Sequence, residues 1–415
     1  MRKMIIMVNA IDVLYLVFSG LVIYFSFLFL ILFTQNRRAI SEIPKLAALP
    51  LVSIIVPARN EADNIARTVR NLRSMDYPED KMEVIVVDDG STDETAAIAK
   101  AAGATRVVRN DRNPAAKVNG KASALNAGLA VAKGEIVACV DADSMPQKEA
   151  IMQSLPFFND PSVGAVTSKI FVNNDKKWLG KLQRMEYAMI AWSRKLFEYI
   201  DSIYVTPGPL SFYRKSVLKE AGGFDEKNVT EDIEIAWRLL DKGYKIKMSP
   251  AVTYTEIPHS FGKWWKQRLR WNVGGIQTSM KYKGSMFRKG SFGSFILPFF
   301  TLSYALSLLA LSIFMYLIYI WAFRSVQFAV SAYGVGINPL NTIEPFFLPD
   351  MFTIFGILVF GFAVAIVNFG LKEMKEPRDA KTWIYMLLYL SVYITLFPFI
   401  LVHSFVRYFR GWHGW

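Results

Sequence analysis

The chain has 415 residues, of which 53% are hydrophobic, too apolar a composition for a wholly soluble protein of this size. Its formal net charge of +13 could serve nucleic acid, anionic lipid or an anionic substrate; the basic residues are scattered beside apolar spans, which favours a membrane surface over nucleic acid. Cys139 is the only cysteine, so neither an intrachain disulfide framework nor a cysteine-built metal site is possible, and its apolar run (136–140) reads as a buried, inert thiol.

Residues 13–33 form an almost uninterrupted apolar run closed by Gln35, Asn36, Arg37 and Arg38. A membrane-crossing helix needs roughly 20 such residues. A signal peptide would have a shorter apolar core ending in small residues before a cleavage site. The run therefore reads as an anchor.

From residue 51 to about 254 the pattern changes to alternating strands and helices. Strands are predicted at 52–56, 83–87, 105–108 and 135–140, and helices at 61–74, through Lys100, and at 121–132. Asn60 is expected to cap the first of these helices, whose inner face carries Ile65, Val69 and Leu72. Such alternation implies a parallel, doubly wound sheet. Ligands of these sheets bind beyond the carboxyl ends of the strands. Residues 57–61, 88–91 and 141–143 all fall there, so three polar clusters are expected to converge on one crevice. No G-x-G-x-x-G follows the first strand, and Gly120-Lys121 is followed by Ala122, so neither a dinucleotide fingerprint nor a Walker loop is present.

The clusters each have an ordinary reading beside the functional one. Asp141 and Asp143 could sit on a solvated loop; directly after a buried strand they are better placed to hold a hard divalent cation, with Asp143 the stronger candidate. Asp88-Asp89-Gly90-Ser91 could be a plain turn. With Pro57, Ala58, Asn60 and Glu61 one strand away, a nucleoside site is preferred. Lys121 opens a helix, where an anion such as a diphosphate is already favoured, although a solvated lysine would look the same. Thr230-Glu231-Asp232 precedes the helical run 233–240; acids there suit the helix dipole, and one of them, Asp232, could equally serve as a general base.

Residues 264–280 have helical spacing, with Trp265, Leu269, Val273, Ile276 and Met280 as one apolar stripe. Gln267, Arg270, Trp271 and Gly274 lie opposite, and Lys263, Lys266, Arg268 and Lys281 add positive charge. A basic amphipathic helix in the membrane interface is expected. Trp beside Arg on the other face suits a sugar ring and a diphosphate. His259, His403 and His413 have no spaced partners, so a histidine metal site or a Ser-His-Asp triad lacks support. Further apolar stretches follow at about 295–323, 351–371 and 383–406. Arg37, Arg38, Lys281, Lys283, Arg288 and Lys289 place the middle of the chain in the cytosol. One crossing before it and three after would leave both termini outside, whereas Arg407 and Arg410 make the tail look cytosolic; one C-terminal segment is then re-entrant or two helices, or the basic-residue rule fails.

Pro57-Ala58-Arg59-Asn60-Glu61, Asp88-Asp89-Gly90-Ser91, Asp141-Ala142-Asp143, Thr230-Glu231-Asp232 and Gln267-Arg268-Leu269-Arg270-Trp271 together resemble the processive family-2 membrane glycosyltransferases. That group includes cellulose, chitin, hyaluronan and poly-N-acetylglucosamine synthases. Each motif alone is unspecific; their order and spacing across residues 51–283, ending in Q-x-x-R-W, are specific. The resemblance implies an α/β GT-A (Rossmann-like) catalytic domain combined with α-helical transmembrane segments, a UDP-sugar donor, a carbohydrate acceptor, and Mg2+ or Mn2+. It implies that Glu61 and Asp88 or Asp89 hold uridine, Lys121 the diphosphate, and Asp143 the metal with help from Asp141. It further implies Asp232 as base, Gln267 and Arg270 closing over the diphosphate, Trp271 under the acceptor sugar, and 206–211 as an acceptor-facing loop. The expected division is an anchor at 1–38, a cytosolic GT-A domain at 50–260, an interfacial segment at 261–290 and a membrane region at 291–410. The expected enzyme is an inverting hexosyltransferase of the plasma membrane extending a polysaccharide, with possible export; single addition to a lipid or lipid-linked acceptor is the alternative. A single N-terminal span, where several relatives have two, leaves open whether a partner subunit or a second copy completes a channel.

Overall fold

In the computed structural model, residues 10–36, 43–110, 120–173, 176–288, 290–335 and 351–412 are described; Arg37, Arg38, Lys289 and His413 lie outside them. The Val- and Ile-rich runs become strands β1 (Val52–Ala58), β2 (Met82–Asp88), β3 (Arg106–Arg109) and β4 (Ile136–Cys139), each within two residues of expectation. They pair in parallel in the order β3-β2-β1-β4. Helices α2 (Ile65–Arg73), α3 (Thr95–Ala101) and α4 (Gly120–Val131) are the crossovers, preceded by the N-terminal α1 (Ala10–Asn36). Ile54 and Val56 pack with Ile65, Val69 and Leu72 of α2, while Ile55 packs with Ala122, Leu125 and Leu129 of α4. Both faces are covered, which is why the strands read as unbroken apolar runs.

The parallel sheet expected from the alternation does not continue past β4. The chain passes through β5 (Met145–Pro146), α5 (Ala150–Ser154), β6 (Val163–Val172) and α6 (Trp178–Glu198) before β7 (Ser211–Arg214). β7 starts beside the end of β4, with Ser211 opposite Cys139, so the pair is antiparallel. After α7 (Lys215–Glu220) and α8 (Glu231–Asp241), β8 (Lys245–Thr255) lies parallel to β6 and carries β5 antiparallel at the edge. The result is one mixed sheet in the order β3-β2-β1-β4-β7-β6-β8-β5. Because β7 is entered from the carboxyl end of β4, the 206–210 loop lies over the carboxyl ends of the parallel strands.

Asn60 is not the helix cap. The helix begins at Ile65 with Asn64 in the cap position, and Asn60 adopts a left-handed φ of 55°. Its Oδ1 instead accepts from the Thr92 amide at 2.9 Å, tying the turn after β1 to the turn after β2.

α9 (Phe261–Tyr282) runs from the sheet to α10 (Leu297–Gly334); α11 (Met351–Glu373), α12 (Ala380–Leu388) and α13 (Phe397–Phe409) complete the chain. Ser260 caps α9 by accepting from the Lys263 amide. The expected stripe is inexact at both ends: Trp264, not Trp265, is fully buried, and Met280 is 45% exposed. Arg268, expected as surface charge, is also fully buried, because its guanidinium is matched by Glu186 of α6. Among the described residues, four helical stretches are long and apolar enough to cross a membrane: Val13–Asn36, Phe292–Gly334, Gly356–Glu373 and Ala380–Phe409. α1 and α11 meet the sheet-bearing part of the chain at Trp192 of α6, whose ring lies 6.3 Å from Phe29, 6.4 Å from Phe33 and 6.2 Å from Phe369.

Candidate active site

Buried strands end where their backbone can no longer be paired, and here the ends carry acids. Past β4, Asp141 and Asp143 enter a cavity of about 420 Å³. Lys121 enters it from the first turn of α4, Glu231 and Asp232 from the start of α8, and Gln267, Arg270 and Trp271 from α9. These eight residues, all from motifs singled out in the sequence, thus line one space, although they span positions 121 to 271. A depression of about 490 Å³ bounded by Leu46, Lys133 and Arg214 lies at the opposite, amino ends of the strands.

Two glycines set how closely these elements approach. A Cβ on Gly208 would lie 2.3 Å from Lys121 Nζ and 2.7 Å from Asp141 Oδ2, so the 207–209 turn rests directly on that pair. A Cβ on Gly274 would lie 2.0 Å from Thr230 Oγ1, so α9 touches the first turn of α8. The contact is reinforced by Asn228 Nδ2 donating to Thr278 Oγ1 at 3.0 Å and the Val229 amide donating to Gln277 Oε1 at 3.0 Å.

Charge in the cavity is unevenly matched. Lys121 Nζ lies 2.5 Å from Asp141 Oδ1 and 3.2 Å from Glu231 Oε1. Burial works against the ammonium, but Asp141, Glu231 and Asp232 together hold its pKa above the ordinary lysine value. Burial pushes Asp143 up to about 6, helped by the Asp141 carboxylate and opposed by the hydroxyl of Ser144, which donates to it. Asp232 is likewise pushed up to about 6, by burial first and then by Glu231, against the pull of Lys121 and Arg270. The Asp232 main-chain carbonyl accepts from the Thr206 amide at 3.2 Å and hydroxyl at 3.0 Å, which fixes the acid against the 206–210 loop.

The expected single crevice divides in two. Pro57 borders the narrow space behind Asp141 and Asp232. Ala58, Asn60, Glu61, Asp88 and Asp89 do not line the main cavity. They form an adjoining cluster: the Asp89 amide donates to the Ala58 carbonyl at 2.9 Å, the Asn60 amide to Ser91 Oγ at 3.0 Å, and the Glu61 amide to Thr95 Oγ1 at 2.8 Å. Asp88 Oδ1 accepts from the Ser91 amide at 3.0 Å, as an ordinary Asp turn does. Asn110 joins the cluster to α4 by donating to Asp89 Oδ1 at 2.8 Å and to Ser123 Oγ at 3.2 Å. Glu61 is near enough to Asp143 to add to its raised pKa.

Some lining residues carry no motif. Tyr187 and Arg194 of α6 line the cavity, as do Phe300 and Tyr304 of α10. Arg194 is 4% exposed, and its Nη1 donates to the Ser168 carbonyl at 3.3 Å. A lone Arg on a helix with an apolar face gives no sequence signal; only packing turns it inward.

Among the described residues, no three or more His, Cys, Asp or Glu side chains are arranged to hold a metal ion. A pair of carboxylates still fits magnesium or manganese, which take one or two protein carboxylates and fill other positions with phosphate oxygens and water. Asp143, held up in pKa by burial and by Asp141, is a group that a cation would relieve.

Residues 50–274 match the family described as glycosyltransferase like family 2. The chain is 31% identical over 281 residues to poly-beta-1,6-N-acetyl-D-glucosamine synthase of Staphylococcus aureus (strain MSSA476), covering 67% of this chain and 66% of that protein. It is 33% identical over 253 residues to the probable glycosyltransferase YdaM of Bacillus subtilis (strain 168), covering 58% of this chain and 59% of that one. The chain thus spans just under two thirds of the length of these relatives in its matches. A mannosyltransferase from Pyrobaculum calidifontis, solved with GDP-Man and Mn2+, has a TM-score of 0.60 and 21% identity, covering 95% of this chain and 99% of that one. At that identity the likeness is one of fold.

Proposed function

Because the chain belongs to glycosyltransferase like family 2, and is therefore a hexosyltransferase, we propose that it transfers a sugar from a UDP-sugar to a growing polysaccharide at the cytosolic face of the plasma membrane. The observation that carries this reading is the meeting of Asp143, Asp232 and Arg270 in one cavity. The polymer is suggested by the similarity to a poly-N-acetylglucosamine synthase.

Each side chain has work that suits its place. Asp232 takes the proton from the acceptor hydroxyl, whose oxygen attacks the donor's anomeric carbon opposite the leaving diphosphate. Inversion follows, and no covalent intermediate is needed. Arg270 and Gln267 hold the diphosphate as its charge grows, Lys121 contributes from the start of α4, and Trp271 offers its ring to the acceptor sugar. Asp143, with Asp141, would hold Mg2+ or Mn2+, which supplies Lewis-acid neutralisation of diphosphate charge. Glu61 and Asp88 or Asp89, with Pro57, Ala58 and Asn60, would hold uridine.

The division into an anchor (1–38), a catalytic unit (50–260), an interfacial segment (261–290) and a membrane region (291–410) remains our reading of the chain. The placement of Phe300 and Tyr304 of α10 in the cavity wall supports passage of the product toward the membrane. The same apolar wall favours the second reading, single transfer to a lipid or lipid-linked acceptor. For topology, α13 packs along α9, with Trp264 against Phe397 and Trp265 Nε1 donating to His403 Nδ1 at 3.2 Å, which supports a re-entrant last segment.

The test is a panel of UDP-sugars offered to the purified full chain, with nucleotide release measured with Mn2+, with Mg2+ and with chelator. Release with one donor, lost on chelation and restored by metal, is expected; metal-independent release would remove the metal from this reading, and no release with any UDP-sugar would remove the donor. Product length then separates polymer from single addition, and product inside proteoliposomes would establish export.

A further inference from the structure

One of the fully buried side chains of α9 is a charge. Arg268 is fully buried, and a guanidinium is tolerated there only when its charge and hydrogen bonds are matched. Glu186 of α6 supplies the match: Arg268 Nε donates to Glu186 Oε1 at 2.9 Å and Nη2 donates to Oε2. The remaining nitrogen, Nη1, donates to Gln267 Oε1. The guanidinium also lies 4.2 Å over the Trp271 ring. One side chain thus fixes two of the α9 residues that line the cavity. It orients the Gln267 amide and packs over the Trp271 ring.

Glu186 is fixed from the far side as well. The Tyr393 hydroxyl donates to Glu186 Oε2 at 2.6 Å and accepts from Trp264 Nε1 at 2.6 Å. Tyr393 is the last residue of a π turn, Tyr389–Tyr393, that interrupts the apolar Ala380–Phe409 segment. Such turns let a helix change register locally and recur at functional sites. The hydroxyl therefore joins the last apolar segment to the start of α9 and to the ion pair beneath the motif.

We propose that Tyr393, Glu186 and Arg268 form a positioning relay through which the last apolar segment sets Gln267 and Trp271 for the acceptor. The inference rests on the transfer reading above. None of the three is assigned to the donor, the metal or the reacting atoms; they act through Gln267 and Trp271. Movement of the segment as product advances would reach the cavity through this hydroxyl, alongside the Trp264–Phe397 and Trp265–His403 contacts.

Tyr393→Phe removes that hydroxyl and little else, and it is tested in the full chain reconstituted in lipid nanodiscs. UDP-N-acetylglucosamine serves as donor and a short N-acetylglucosamine oligosaccharide as acceptor. Two rates are read: sugar transferred to acceptor, and UDP released without acceptor. The relay predicts transfer lowered about tenfold with a raised acceptor KM, while acceptor-free release stays within about twofold. Glu186→Gln, which keeps the shape and loses the charge, should show the same split more strongly. If Tyr393→Phe leaves transfer unchanged, or lowers both rates together, the relay is wrong. Asp232→Asn run alongside separates the failures. Transfer undetectable in the wild type removes the transfer reading and the relay with it, whereas a normally active Asp232→Asn protein removes only Asp232 from its role. An inactive one beside wild-type-like Tyr393→Phe removes the relay alone.

Discussion

Gly274 of α9 and Thr230 at the head of α8 approach so closely that a Cβ on the glycine would lie 2.0 Å from the threonine hydroxyl oxygen. This contact holds the Q-x-x-R-W helix against the Thr230-Glu231-Asp232 motif, so Arg270 and Asp232 share a cavity. Gly274→Ala must push the two helices apart, since both Cβ and Cγ2 of Thr230 also lie within 2.7 Å of the added carbon. Overpacking of this kind costs about 1–3 kcal/mol. The variant should unfold at lower temperature and lose most of its transfer activity. Thr230→Ser, made in the same background, should recover part of both by removing the methyl group.

Gly208→Ala should behave differently. Its added carbon meets Lys121 Nζ at 2.3 Å, the far end of a flexible side chain, and the Asp141 carboxylate at 2.7 Å. The fold can absorb this by moving Lys121. Thermal stability should stay within about 1 kcal/mol of wild type, as for changes that avoid the core, while donor KM rises severalfold. A large loss of stability would show that the turn cannot shift its neighbours.

Asp232→Asn keeps the size of the side chain and removes its basicity. Turnover should fall by about 10²–10⁴-fold, the usual worth of general acid–base catalysis. UDP affinity, measured by calorimetry, should remain near wild type, because an interaction made only in the transition state contributes nothing to ground-state binding. Wild-type-like turnover would take Asp232 out of its role.

The pH profile follows from the sign of two shifts. Asp232 works as a base only when ionised, and burial pushes its pKa up to about 6. Activity should therefore rise with pH through about 6 and fall below it. Lys121 pulls the Asp232 pKa down, so Lys121→Met should move this limb to higher pH. A limb that stays in place, or moves to lower pH, would show that another group sets it.

The alternation of apolar runs and polar turns gave away β1 to β4 and the placement of Asp88, Asp141 and Asp143 at strand ends, because a fully covered parallel strand must be apolar throughout and polar once it leaves the sheet. The antiparallel entry of β7 was not legible. It depends on where the chain returns after α6, and no local pattern encodes that. Asn60 misled for a related reason: an Asn before a helical run resembles a cap, yet its partner is Thr92, 32 residues away. Arg268 misled most, since an arginine on a basic helix reads as surface charge until Glu186, 82 residues earlier, is seen beneath it.

The sequence by itself pointed to the polar side chains that meet in the cavity and to the apolar helices that flank them, since both follow from residue type and local period. Tertiary structure alone decided that Lys121 rests between Asp141 and Glu231 and that Arg268 turns inward to Glu186 and Tyr393. The cost of burying a charge is met only by a partner in space, and such a partner leaves no mark on its neighbours in the chain.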